Sequence, residues 1–235
     1  MGQADRPRAD RVSAIAALDE PTRRRLYDYV GRQPAPVSRD DAADAMRLPR
    51  NTVAFHLDKL VTEGLMEVVY ERRTGRSGPG AGRPSKLYRR SPRQVTVSLP
   101  ERSYELAAHL LAGAVHEAGT SGQSPQAVLD RRAGELGTTV GRQTRTDDPD
   151  RDSHTAALHA LETLGFEPRT VDRDIVLGNC PFHSLARQHT DLVCGMNLSL
   201  LNGLLDGLAA TGLTARLDPA PGRCCVRIDP AVDPG

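Results

Sequence analysis

The chain has 235 residues, enough for one large or two small domains, each with a modest core. No apolar run approaches the roughly 20 residues that cross a bilayer, and the first stretch of the chain is polar, so a cytoplasmic protein with no membrane partner is expected. The net charge of +1 hides an asymmetry: residues 1–93 carry 19 Lys/Arg against 12 Asp/Glu, whereas residues 94–235 carry 12 against 18, which suggests that one half meets a polyanion and the other does not.

Residues 12–18 and 21–30 read as two helices broken at Asp19-Glu20-Pro21, with Pro21 opening the second. Residues 33–37, with two prolines, read as a loop. Ser38 is a good N-cap, and Asp41 stands where a capping-box acid belongs. The short helix that follows carries Ala42, Ala43, Ala45 and Met46, small enough to lie close beneath a neighbour. Arg47 and Leu48 then lead into a helix over 49–65. Pro49 suits its first position and Gly64 its left-handed end. At about 100° per residue, Val53, Leu57, Leu60 and Gly64 share one face, while Asn51, Phe55, Asp58 and Thr62 share the opposite one. Two short helices joined so tightly form a helix-turn-helix, whose second helix lies in a DNA groove. Arg50, Asn51, Thr52, Phe55 and Lys59 are the candidate base and backbone contacts. His56 reads as a packed flank residue.

After Leu65 the period changes. Residues 66–73 and 85–90 read as strands around a long glycine-rich tip, the form of a wing. Arg72, Arg73, Arg76, Arg83, Lys86, Arg89 and Arg90 place seven positive charges on or beside it, which suits salt-dependent contact with phosphates and entry of an arginine into the minor groove.

Residues 94–98 alternate and suggest a third short strand. Pro100 then opens a helix to about Ala118, with a seam of Tyr104, Ala107, Leu111, Ala114 and Ala118. The seam suits a dimer contact, because helix-turn-helix proteins usually read two half-sites, though it could pack on its own domain. A helix over 125–142 and a polar link over 143–153 follow. From His154 the order is helix, two short strands, two helices and two closing strands. No repeat of 20 to 50 residues occurs.

All four cysteines lie between residues 180 and 225. In a reducing compartment, clustering of this kind favours metal binding or redox chemistry over structural bridges. Pro181 looks like the first residue of a helix with Cys180 as its N-cap, where the dipole favours a thiolate, and His183 then lies one turn in, facing Cys180. Cys194 lies in the first turn of the next helix. Cys224 shares a strand face with Val226 and Ile228, and Cys225 points the other way. On ligand chemistry alone, Cys180, Cys194 and Cys224 suit an iron–sulfur cluster; with His183 they suit tetrahedral zinc; or they are buried thiols with no ion. The spacing does not decide among these. A disulfide switch is a further alternative, as is an enzyme with Cys180 as nucleophile and His183 as base, which has no recognisable third member; no catalytic residue is assigned.

Leu18-Asp19-Glu20-Pro21-Thr22-Arg23-Arg24-Arg25-Leu26, Val53-Ala54-Phe55-His56-Leu57-Asp58-Lys59-Leu60 and Gly82-Arg83-Pro84-Ser85-Lys86-Leu87-Tyr88 resemble the winged helix-turn-helix regulators of the ArsR type. With the cysteine-bearing half included, the chain is similar to the branch that contains the iron–sulfur-responsive repressor of the Suf operon. The resemblance implies a homodimeric regulator, a repressor by analogy, acting on double-stranded DNA. It also implies a cluster held at Cys180, Cys194 and Cys224. The expected fold is α+β: a winged helix-turn-helix domain (1–93), a linker strand with dimerisation helices (94–143), and a small α+β sensor domain (144–235).

Overall fold

The structure is a computed structural model and describes residues 7–71, 84–220 and 222–231. It forms two compact units, Met1–Val97 and Ser98–Gly235. Each has its own buried core.

The first unit opens with α1 (Arg8–Ala17) and α2 (Pro21–Gly31). Pro21 begins α2, and the Glu20 carboxylate caps it by accepting from the backbone N–H groups of Thr22 and Arg23. β1 (Val37–Ser38) precedes α3 (Arg39–Met46). The expected capping box is present: Ser38 Oγ accepts from Asp41 N, and the Asp41 carboxylate accepts from Ser38 N, both at 3.1 Å. Arg47 takes the left-handed conformation at φ 55° and turns the chain into α4 (Arg50–Thr62). Pro49 is the N-cap of α4 and not its first helical residue, a shift of one position. Gly64, at φ 69°, ends the turn that follows.

α4 is held by burial of Val53, Leu57 and Leu60 against Leu26, Val30, Ala42 and Ala43. The small side chains of α3 let it approach α4 closely, as the sequence suggests. β2 (Met66–Glu71) and β3 (Ser85–Arg90) form an antiparallel hairpin, and β1 pairs with the far side of β3 to give the order β1-β3-β2. That third strand lies at 37–38, where the expected loop ends and the N-cap Ser38 begins, and the expected strand over 94–98 is absent. The Thr96 carbonyl instead accepts from the Arg11 guanidinium at 3.2 Å, and Val95 packs on the core without a neighbouring strand.

In the second unit, α5 (Tyr104–Ser121) starts four residues after Pro100. Residues 101–103 are occupied elsewhere: Asn179 Nδ2 donates to Glu101 O at 2.9 Å, Ser103 N donates to Pro181 O at 3.1 Å, and Arg102 donates to Asn179 Oδ1 and to Cys180 O. α6 (Pro125–Asp147) runs through the first part of the segment expected to be a polar link. Arg145 explains the extension, since its guanidinium reaches the Leu208 carbonyl at 2.9 and 3.1 Å and satisfies a helix end that would otherwise be bare. The seam residues Ala107 and Ala114 are buried in the core that α5 shares with α6, with Leu111 and Ala118 packed against it. Ala107 and Ala114 of the seam are therefore spent within the chain, while Tyr104 at its start is 39% exposed.

α7 (Ser153–Thr163), β4 (Pro168–Val171), β5 (Asp174–Leu177), α8 (His183–Gln188), α9 (Thr190–Gly207), β6 (Leu213–Leu217) and β7 (Val226–Pro230) complete the chain. The four strands form one antiparallel sheet in the order β4-β5-β7-β6. α6 and α9 touch through backbone. An added Cβ on Gly137 would stand 2.0 Å from Leu200 O, and one on Gly203 would stand 2.1 Å from Gly134 O. Among the described residues, no helix is long and apolar enough to cross a membrane.

Candidate nucleic-acid interface and thiol cluster

The outer face of α4 is free of the core. Asn51, Phe55, Asp58, Lys59 and Thr62 are exposed, and Thr52 is half-buried. Phe55 is 64% exposed, a large apolar side chain that the core does not use. Its ring meets the His56 ring edge-on, with centroids 5.3 Å apart. His56 lies at the flank with Nδ1 3.5 Å from the Glu20 carboxylate, as a packing residue should.

The cations on this face are partnered. Arg50 lies 3.4 Å from the Asp40 carboxylate, Lys59 bonds Glu63 at 2.6 Å one turn on, and Lys86 bonds Asp58 at 2.6 Å. The Arg50–Asp40 pair is exposed on both sides and worth about 0–1 kcal/mol, so a phosphate could displace that carboxylate at little cost. Arg72, Arg73, Arg76 and Arg83 lie outside the described residues.

Asp58 joins α4 to the hairpin. Its Oδ1 accepts from Lys86 Nζ and, at 2.8 Å, from the hydroxyl of Tyr88, a core residue of β3. Partial burial pushes the Asp58 carboxyl up, but the two hydrogen bonds outweigh it and hold the group below its ordinary range. The same bond raises the Lys86 ammonium. Asp58 is read from sequence only as a residue of the outer face. Its partners lie about 30 residues on, which no local pattern could show.

In the second unit all four thiols come together. Cys180 follows β5, Cys194 lies in the second turn of α9, and Cys224 and Cys225 precede β7. Cys180, Cys194 and Cys224 are buried, and Cys225 is half-buried. Cys224 N donates to Leu177 O at 2.9 Å, which ties the last segment to the end of β5 beside Cys180. The Cys180 thiol hydrogen-bonds Cys224, and Cys225 hydrogen-bonds both Cys224 and Cys194.

Three expectations are corrected here. Cys180 is not an N-cap: α8 starts at His183 with Phe182 before it, and the Cys180 carbonyl closes a turn on His183 N at 3.1 Å. His183 is exposed, and it is not among the groups that shift the Cys180 thiol. Cys225 does join the cluster. A regular strand would turn it away from Cys224, but β7 begins at Val226, and the chain before it turns through Gly222 at φ 74°. That glycine was the available signal.

Hydrogen bonds from the Cys180 and Cys225 thiols, the Val226 N–H and the Asn197 amide lower the Cys224 thiol against the effect of burial. Asn197 Nδ2 donates to the sulfur at 3.2 Å, and a backbone N–H cannot accept, so two of these donors fix the polarity of the network. Donation to Cys224 and burial raise Cys180 and Cys225. Burial raises Cys194. Asn197 is 1% exposed, and its Oδ1 is buried without a partner.

Four thiols suit a thiophilic ion or cluster in donor chemistry. Their disposition does not match one: among the described residues no three or more His, Cys, Asp or Glu side chains are placed to hold a metal ion. The arrangement is that of a hydrogen-bonded thiol chain.

No curated protein and no solved structure matches the chain. Residues 18–69 match the family model described as a helix-turn-helix domain, a span that includes α2, α3, α4 and the start of the hairpin, and this marks the chain as a DNA-binding transcription regulator.

Proposed function

We propose that the protein is a winged-helix regulator of the ArsR type, a homodimeric repressor whose affinity for double-stranded DNA is set by the state of Cys180, Cys194, Cys224 and Cys225. The observation that carries the DNA reading is the exposure of Phe55 in the middle of the outer face of α4. A monomer that used this ring for folding would bury it. In the major groove Phe55 meets thymine methyl groups, Arg50 a guanine and Asn51 an adenine, while Thr52 and Lys59 take backbone phosphates. Two copies are needed for two half-sites. Arg72, Arg73, Arg76, Arg83 and Lys86 supply the wing's charge. Replacing Arg76 and Arg83 together by alanine is expected to weaken binding and to make the slope of log affinity against log salt shallower by about 2 per protomer. Gel shifts at several salt concentrations measure both, and an unchanged slope refutes the wing contacts.

The control half of the reading rests on four thiols converging in one buried place. The resemblance of the chain names an iron–sulfur cluster as the ligand, and the ligand chemistry of the thiols suits zinc as the alternative. Bound there, either would replace S–H donors by metal–thiolate bonds. Anaerobic purification, with visible absorption and metal analysis, tests the ligand: a coloured protein containing iron and sulfide supports the cluster, although the thiols as they stand are not placed to hold one. A colourless protein with one zinc per chain ends the cluster reading.

The thiol-to-thiol hydrogen bonds favour a second reading, a disulfide switch. Cys180 and Cys224 would lose two electrons and two protons to a peroxide, which becomes two waters. A metal-free protein whose DNA affinity changes reversibly with peroxide and dithiol supports it.

A further inference from the structure

We propose that Asp58 is a base-reading residue of α4, which selects a base that presents an exocyclic amino group in the major groove, cytosine above adenine. The inference rests on the reading that α4 enters that groove. Asp58 is exposed on the same face as Asn51 and Phe55, with its side chain 53% open to solvent. It is also the one acidic side chain among the residues of that face named above.

The carboxylate is unusually well held for a surface group. Both donors, Lys86 Nζ at 2.6 Å and Tyr88 Oη at 2.8 Å, bind the same oxygen, Oδ1. Tyr88 is itself fixed, because its ring is buried in the core and its backbone is paired with Val37 on one side and Val68 on the other. Lys86 also lies over the Tyr88 ring, 5.1 Å from its centroid. Oδ1 is thereby anchored to the sheet, and among the described residues Oδ2 has no hydrogen-bond partner. Of the neighbouring polar groups, Thr62 Oγ1 is committed to the Asp58 carbonyl, to which it donates at 3.1 Å.

A carboxylate can only accept. In the major groove cytosine N4 and adenine N6 donate, whereas guanine N7 and O6 and thymine O4 only accept. Oδ2 therefore binds an amino-bearing base and repels guanine and thymine. Adenine brings an acceptor, N7, beside its amino group, and this faces the carboxylate unfavourably. Cytosine has no such neighbour. Because the rotamer is fixed before DNA arrives, little side-chain freedom is lost on contact. The negative charge also disfavours every site at which the group would meet a phosphate, so it lowers general affinity and raises discrimination.

The test is selection of binding sites from a randomised duplex pool by the full chain, with wild type, Asp58→Asn and Lys86→Met compared. Wild type is expected to enrich a half-site with one cytosine at which guanine or thymine lowers affinity about tenfold or more. Enrichment of adenine at that position supports the same amino-group contact with the other base as its source. Asp58→Asn keeps an acceptor for Tyr88 and is expected to move the preference to adenine, which an amide binds through N6 and N7. Lys86→Met leaves the carboxylate less firmly held and is expected to weaken the preference without changing its identity. If Asp58→Asn does not fold, undiminished discrimination by Lys86→Met overturns the proposal. An Asp58→Asn protein with the same motif and uniformly raised affinity also overturns it, since Asp58 would then only neutralise Lys86. A wild type that binds duplex without enriching any sequence sinks the base contact but not DNA binding, and failure to bind duplex at all sinks both.

Discussion

Gly203→Ala is expected to destabilise the second unit by about 3 kcal/mol or more, the upper end of what overpacking a core costs. A Cβ there would lie 2.1 Å from the carbonyl oxygen, 2.8 Å from the carbonyl carbon and 2.9 Å from the Cα of Gly134, all backbone atoms of α6. Nothing flexible can give way. The two helices would have to part, and the contact repeats along them: Gly137 meets Leu200 O at 2.0 Å, Gly141 meets Leu204 O at 2.3 Å and Gly207 meets Thr138 O at 2.3 Å. Against a total stability of about 5–15 kcal/mol, one such loss is severe and two unfold the unit. The thiols report the loss directly, because Cys194 lies on α9 ahead of Gly203 and is buried in the intact protein. Urea unfolding followed by circular dichroism, together with the rate of thiol labelling, should show a lowered midpoint and fast labelling of Cys194. Gly119→Ala is the control. It lies exposed in α5 with no atom within 4 Å of an added Cβ, so the better helix former should stabilise by about 0.5–1 kcal/mol. Equal effects at the two positions would mean that α6 and α9 do not touch through backbone.

What the sequence could and could not show follows from the range of each interaction. The helix-turn-helix was legible because its signals are local: the Ser38–Asp41 box, Pro49, Gly64 and the 3.6-residue recurrence of Val53, Leu57 and Leu60 all act within a turn or two. The two strands of the hairpin and the four of the second sheet were legible for the same reason. The failures are at places where a distant partner decides. Arg145 extends α6 because the Leu208 carbonyl needs a donor, and residues 101–103 stay out of α5 because Asn179 and Pro181 engage them. The glycines of α6 and α9 read as weak points in a helix until a second helix is laid on them. Their spacings, Gly137 to Gly141 and Gly203 to Gly207, were visible but were not used. In the second unit Cys180, Cys194 and Cys224 act on one another and Cys225 acts on two of them, whereas His183 is exposed, because the chain turns at positions where regular structure would have aimed both side chains otherwise.

Cys224→Ala is expected to have the second large effect, since it removes the acceptor on which the cluster is built. Asn197 Nδ2 loses the sulfur it donates to at 3.2 Å, and Oδ1 already has no partner, so a buried amide is left wholly unsatisfied. Leaving such a group bare costs about 1–3 kcal/mol. Cys224→Ser keeps an oxygen acceptor and should recover part of the loss. The pH dependence separates this loss from simple cavity formation. A thiol whose folded pKa is depressed contributes stability that is complete above its ordinary value of 9.0 and is lost as pH falls toward the folded value. Wild-type stability, measured in urea with a reductant present, should therefore gain on the variant as pH rises from 6 to 8.5. Cys180, Cys194 and Cys225 work in the opposite sense: raised in the folded state, they cost stability once pH climbs past 9 and the unfolded thiols ionise. Wild type should accordingly be most stable near pH 9 and fall on either side of it, and the difference between wild type and Cys224→Ala should shrink above that pH, because the variant lacks the bonds to Cys224 that raise Cys180 and Cys225. The variant's DNA affinity should no longer differ between the anaerobically isolated and the oxidised protein, because the sulfur that links Cys180 to Cys225 is gone. Parallel pH curves for the two proteins would place the charge on another cysteine, and a retained difference in DNA affinity would show that control does not pass through Cys224.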